Sequence, residues 1–312
     1  MDFDADAQAI ITDHLIDATL RGEPSGLVPL LLLARRRETA RPTAPIVVTF
    51  ESPVSAQIDG GDNIGLIAAH KAVDIALEKA KAMGIAIVGL NNTFTTGNLA
   101  YHVERATSLG YVALAAGNGM PAVAPFGAGE ALIGTNPVSI GFPTTDDPII
   151  WDVGSSAFTY GDVVNANRDG DTLPDEVALD VEGKPTTDPA AALKGALRTW
   201  GGHRGSGLGI IAQLFGILAG TEAQPPFFQG FGFFFLVLHP RLLGSEQAFL
   251  EKVAEFRRRA NAARPLDPGG SVRLPYQGSL ARRKAMREEG IEISDSVHKG
   301  LMDILAGNPV TV

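Results

Sequence analysis

Apolar residues recur at helical spacing over residues 7–20, where Ile10, Ile11, Leu15, Ile16 and Ala18 mark one side of a helix. The run Arg21-Gly22-Glu23-Pro24-Ser25-Gly26 breaks this period through Gly and Pro, and residues 27–36 can resume a helix behind it. The pattern then shortens. Ile46 to Phe50 predicts a strand, Asp59-Gly60-Gly61-Asp62-Asn63 a turn with an N-cap candidate, and residues 64–83 a helix that Gly84 ends. Residues 85–90 predict a strand, 91–97 a polar loop, 99–108 a helix and 111–116 another strand. Helix alternating with short apolar strand is the rhythm of an α/β protein.

Further along, short strands are expected at 138–142 and 149–153, and residues 162–189 read mainly as turns. Residues 208–218 are apolar almost all round, which predicts a buried helix. The Phe-rich run 231–238 predicts a buried strand, followed by a helix over 245–263 and two more starting near Ser279 and Ser294. No internal repeat interrupts this order.

Composition narrows the class. The 312 residues can bury a large core, and 45% hydrophobic with 20% charged residues is a globular balance. A net charge of -9 gives no general attraction for nucleic acid or an anionic membrane. There is no Cys, which removes disulfides, thiolate nucleophiles and thiolate metal ligands together. The start Met1-Asp2-Phe3-Asp4 lacks the basic and apolar parts of a signal peptide, and no apolar run reaches the roughly 20 residues of a membrane span, so a cytoplasmic protein is expected.

Candidate chemistry is sparse. No Gly-x-Gly-x-x-Gly follows a strand, no phosphate-binding Gly-x-x-x-x-Gly-Lys-Ser/Thr occurs, and no Gly-x-Ser-x-Gly elbow marks a hydrolase. The six histidines show no metal-ligand spacing, so no metal is expected; His14 and His70 lie inside helices, where packing or surface roles are the simpler reading. Gly201-Gly202-His203-Arg204-Gly205-Ser206-Gly207 enters a helix, where helix amides with His203 and Arg204 would suit a phosphate or carboxylate, although close helix packing would also use these glycines. Asp152 ends an apolar strand before Gly154-Ser155-Ser156. It could orient a ligand hydroxyl or simply cap a turn. Gly134-Thr135-Asn136-Pro137 offers backbone contacts to a ligand, or an ordinary turn.

Taken in order, Asp59-Gly60, Asn91-Asn92, Pro125-Phe126-Gly127, Gly134-Thr135-Asn136-Pro137, Asp152-x-x-Ser155-Ser156, Gly183 to Pro189 and Gly201-Gly202-His203-Arg204-Gly205 resemble the malate/L-lactate dehydrogenase superfamily. The resemblance implies an α/β fold with an unusual, non-Rossmann nucleotide-binding domain and a helical N-terminal element. Its implied regions are that helical element (1–45), a mixed α/β substrate and dimer region (46–115), a central nucleotide-binding α/β region (116–240), and a C-terminal helical region packing back on the core (241–312). It further implies a homodimer using NAD or NADP on a small-molecule substrate, a 2-oxo acid or the matching hydroxy acid, with cyclic imino acids as the alternative. Gly127, Thr135, Asn136, Ser155, Ser156, His203 and Arg204 would then lie about the nucleotide.

The departures from the family concern its chemistry. After Leu20-Arg21-Gly22 the family carries Ser-His-Gly and then an Arg for the substrate carboxylate; here Ser25 or Gly26 stands for the His and Pro29 for the Arg. The second catalytic His is matched by Thr95, in Thr95-Thr96-Gly97. Thr95 and Ser25 are thus expected to hydrogen-bond the substrate, with Asp152 orienting a donor. A Thr hydroxyl relays a proton but is no efficient base alone. A lyase or a ligand-binding protein on the same scaffold therefore also remains open.

Overall fold

Asp4 caps the first helix, α1 (Ala5–Leu20), by accepting a hydrogen bond from the Ala7 N–H at 2.8 Å. The computed structural model describes residues 3–23, 26–27, 29–31 and 43–308. Ser25 lies outside the described residues, as does most of the helix expected over 27–36. A seven-stranded sheet organises the rest. Its strands are β1 (Val47–Ser52), β2 (Ser55–Ile64), β3 (Ile85–Phe94), β4 (Val112–Asn118), β6 (Val138–Phe142), β7 (Ile149–Val153) and β10 (Phe231–Leu238). Their order is β1-β2-β3-β10-β4-β6-β7, with β2 and β3 parallel and every other pair antiparallel. Strands from residues 46–115 and from 116–240 thus share one sheet.

Side-chain alternation along β10 divides the core. Phe233, Phe235 and Val237 face α2 (Gly65–Met83) and α3 (Leu99–Thr107), whose Ala- and Val-rich sides pack close to the sheet. Phe234 and Leu236 point the other way, toward α6 (His203–Leu218). A second, three-stranded sheet, β5 (Val123–Ala124), β9 (Ala196–Arg198) and β8 (Ala178–Leu179), packs with α4 (Tyr160–Asp169) and α5 (Pro189–Ala192) around Val123, Val163 and Leu197. The chain closes with α7 (Glu246–Asn261), α8 (Gln277–Glu289) and α9 (Asp295–Ala306). Among the described residues no helix is long and apolar enough to cross a membrane, and no group of three or more His, Asp or Glu could hold a metal ion.

Four local expectations need correction. Residues 59–63 are not a turn but part of β2. Asp62 and Gly61 adopt positive φ, the register with β3 shifts between Asp59 and Asn63, and the Asp59 carboxylate accepts the Gly61 N–H at 2.8 Å, so turn-type residues make an irregularity within a strand. Residues 91–94 continue β3 instead of forming a loop. Residues 162–189 hold more regular structure than the turns expected, since residues 162–169 belong to α4 and β8 and the start of α5 follow, with turns and loop over the remainder. Finally, α6 is not buried all round: Ile210, Ile211, Leu214 and Leu218 are 42%, 51%, 53% and 68% exposed, because only one side of the helix meets the sheet.

Candidate active site

The C-terminal end of α1, the segment between β3 and α3, and the end of β7 surround a cavity of about 650 Å³. Its walls are largely apolar and aromatic, with Phe94, Phe228, Phe231 and Trp200 among them. Polar side chains, among them Arg21, Glu23, Thr95, Thr135 and Asp152, interrupt these walls, as is usual where a small ligand is held by shape and oriented by hydrogen bonds.

Asp152 lies on β7, paired with Ser139 of β6, and its Oδ2 accepts the Ala100 N–H at 2.6 Å, at the start of α3. Its second carboxylate oxygen has no protein hydrogen-bond partner among the described residues. Burial pushes the Asp152 carboxyl up to about 7, and the charge of Glu23 adds to this against the Ala100 N–H and Arg21. Glu23 also lines the cavity, and its own carboxyl is raised, first by burial and then by Asp162.

Two imidazoles stand nearby, and neither acts as an acid at neutral pH. The Nε2 of His14 accepts the Asn98 N–H at 2.9 Å, so the proton sits on Nδ1, and burial, Arg21 and His70 hold the ring's pKa down at about 3. His102 is fully buried with Nε2 3.1 Å from the Thr96 carbonyl, and burial, with His14 next to it, keeps it far below the usual histidine range. Together they fasten the segment that carries Thr95. Gly97 makes this possible: at φ +73° its Cα packs so near His14 that a Cβ would stand 2.2 Å from Nε2.

The residues expected from sequence fall into three sets. Thr95, Asp152, Thr135 and Ser156 all line the cavity. Asn136 and Ser155 lie behind it as joints: Asn136 Nδ2 donates to the Gly209 carbonyl and to Gln213, and the Ser155 hydroxyl donates to the Thr135 carbonyl at 2.8 Å. Gly127, in the loop after β5, and His203 and Arg204, at the start of α6, lie outside the cavity wall; there the exposed His203 ring stands 6.1 Å from Phe126. There the N–H groups of Arg204, Gly205 and Ser206 already bond to carbonyls of Trp200, Gly201 and Gly202. What this helix start offers an anion is therefore the side chains more than the amides.

Sequence reasoning passed over Arg21, Trp200 and Tyr276 and read His14 as a packing or surface residue; all four are on the cavity wall. An acidic residue four positions earlier on the same helix signals an ion pair for Arg21, though not a place on a cavity wall. Asp17 is indeed its partner, together with Glu104 at 2.6 Å. The residues present fit a nicotinamide dinucleotide: the apolar walls suit a flat ring, and the exposed cation Arg204, beside the open, positive-φ Gly127 loop, suits phosphate.

The chain is similar to known proteins over most of its length. L-sulfolactate dehydrogenase of Methanothermobacter thermautotrophicus is 30% identical, over 97% of this chain and 91% of that protein. A pyrroline-2-carboxylate/piperideine-2-carboxylate reductase of Pseudomonas putida is 31% identical, over 80% of this chain and 74% of its own length. The crystal structure of a dehydrogenase from Sinorhizobium meliloti superposes with a TM-score of 0.86 at 32% identity, covering 94% of this chain and 89% of that one. The family model described as malate/L-lactate dehydrogenase matches residues 1–302, and the chain belongs to that family as an NAD(P)-dependent oxidoreductase.

Proposed function

We propose that the protein interconverts a small 2-oxo acid and its 2-hydroxy acid, with Asp152 moving the proton that the family's missing histidines would move. When bound, NAD(P)H supplies the hydride. The chain must then provide a proton to the substrate oxygen that gains charge, and the observation that carries the reading is Asp152 itself. It lies on the cavity wall with one oxygen fixed by Ala100 and a pKa near neutrality, the range in which one group can both give and take a proton. Thr95, on the same wall, is placed to hydrogen-bond the substrate or pass the proton on. Thr135 and Ser156 would meet the nicotinamide end of the nucleotide, and Arg204 with His203 its phosphates, held in place by Asn136, Ser155 and Gly127 behind and beside them.

The test is a panel of 2-oxo acids with NADH and NADPH, followed by loss of nicotinamide absorbance. Asp152→Asn should lower turnover by roughly 10²–10⁴-fold, the usual range for a lost acid-base group. Turnover within a few-fold of the unaltered protein would remove Asp152 from the chemistry. A cyclic imino acid is the second reading, favoured by the absence of a protonatable imidazole on the described cavity wall: an imine nitrogen arriving protonated takes hydride without an enzymic acid. Asp152→Asn would then spare the reaction.

The reading includes a second copy of the chain. The exposed Ile210, Ile211, Leu214 and Leu218 form an apolar side on α6 of the kind that subunit contacts cover.

A further inference from the structure

Pro29 stands where the family carries its carboxylate-binding Arg, and the described cavity wall holds one side-chain cation apart from the neutral His14, the guanidinium of Arg21. We propose that Arg21, held over Tyr276 at the floor of the cavity, reads the substrate's carboxylate in place of the missing family residue. The proposal rests on the 2-oxo acid reading and names the group that selects for it.

The geometry is that of a guanidinium fixed on one side and unsatisfied on the other. Arg21 ends α1 with only 2% of its surface exposed. Its Nη2 is shared by Asp17 and Glu104, and its Cζ stands 4.9 Å over the Tyr276 ring. Nε and Nη1 are buried and have no hydrogen-bond partner among the described residues. Buried polar groups are nearly always paired, and a charged donor is among the costliest to leave without an acceptor. An anion entering the cavity would supply the acceptor.

The surrounding charges leave that capacity open. Arg283 takes Glu104 through two bonds, at 2.7 and 2.8 Å, and reaches Asp17 at 3.1 Å, so two guanidinium groups and two carboxylates balance within the network. Arg21 is therefore oriented by its neighbours without having all its donors used. It also stands near the chemistry, since its charge is felt by His14, Glu23 and Asp152 alike. Tyr276 has an unusual backbone for its place: φ +77° in a residue that is 9% exposed, a conformation that a side chain other than Gly adopts at some cost and that is enriched at ligand sites. It sets the Tyr276 ring under the guanidinium.

The test uses the full chain saturated with NADH or NADPH. Trp151 and Trp200, the two tryptophans of the sequence, both line the cavity, so their fluorescence reports binding without turnover. The probes are oxamate and its carboxylate-free counterpart oxamide. The unaltered protein should bind oxamate at least about tenfold more tightly. Arg21→Lys keeps the charge but loses the planar fork, and should cut that preference about tenfold by weakening oxamate alone. A folded R21K protein that keeps the preference, or an unaltered protein that shows none, overturns the proposal. Should R21K not fold, Glu104→Gln leaves Arg21 in place and removes one of the two carboxylate charges that compete for it, so oxamate should bind more tightly; unchanged binding overturns the proposal equally. Failure here is separable from failure of the reaction reading. If 2-oxo acids are reduced while R21K spares the preference, the reaction stands and the anion site falls. If oxamate selectivity depends on Arg21 while no 2-oxo acid consumes the nucleotide, the anion site stands and the reaction does not.

Discussion

At the scale of single residues, the proposed chemistry concentrates in Asp152. Its folded pKa near 7 lies above that of an unfolded aspartate, so folding favours its protonated form. The stability this contributes is present below the ordinary carboxylate range and is lost as pH rises through about 7. Asp152→Asn, which cannot ionise, should therefore gain thermal stability relative to the unaltered protein at about pH 8.5 and show little gain at about pH 4, measured by thermal unfolding. In turnover, reduction needs the protonated form and should decline as pH rises through about 7, while oxidation should rise over the same range. A second prediction concerns Gly97. Its positive φ and the 2.2 Å approach to His14 leave no room for a methyl group, so Gly97→Ala should cost about 1–3 kcal/mol in denaturant unfolding and raise KM by moving Thr95. Asp152, Thr95, Thr135 and Ser156 were legible because each sits in a motif whose order along the chain is distinctive. Arg21 and His14 were not, because on a helix their residue types say nothing of which side faces a cavity until the distant Glu104, Arg283 and Asn98 are placed beside them.

At the scale of elements, β6, β7 and β10 could be read because each is a short apolar run between turn residues. Residues 59–63 could not, since Asp and Gly signal a turn whether the chain reverses or merely bulges. β10 is the element with most at stake. It lies at the centre of the sheet, and Phe235 is wholly buried between α2 and the neighbouring strands. Phe235→Ala should destabilise by about 3–5 kcal/mol, read as a lower denaturant midpoint. The same substitution on the opposite face, Phe234→Ala, would loosen α6 and leave the packing of α2 unchanged, because side chains alternate along the strand.

At the scale of the whole molecule, the apolar α6 shows how composition can mislead. An all-round apolar helix is ordinarily buried within one chain. Here one side of it meets the sheet and the other is left outward. Replacing Ile211 and Leu214 together by Glu should leave the fold intact, since neither packs in the core, and should shift the protein from dimer to monomer in sedimentation experiments. A monomeric unaltered protein would end that reading. Strand order, too, lies beyond any local pattern, since β10 pairs with β3 and β4 across long stretches of chain.

That placement of β10 also sets the order in which the protein can be made. β3 and β4 end at Phe94 and Asn118, but the strand that joins them begins only at Phe231. At synthesis rates of about 5–20 residues per second, roughly 6 to 23 seconds pass between the appearance of β4 and that of its partner. During this interval β3 and β4 lack the strand that lies between them in the finished sheet, which leaves each an unpaired hydrogen-bonding edge that another nascent chain could seize. The central strand of the finished sheet is the last strand delivered. Ribosome-bound chains stopped before Phe231 should accordingly be the species that chaperones hold.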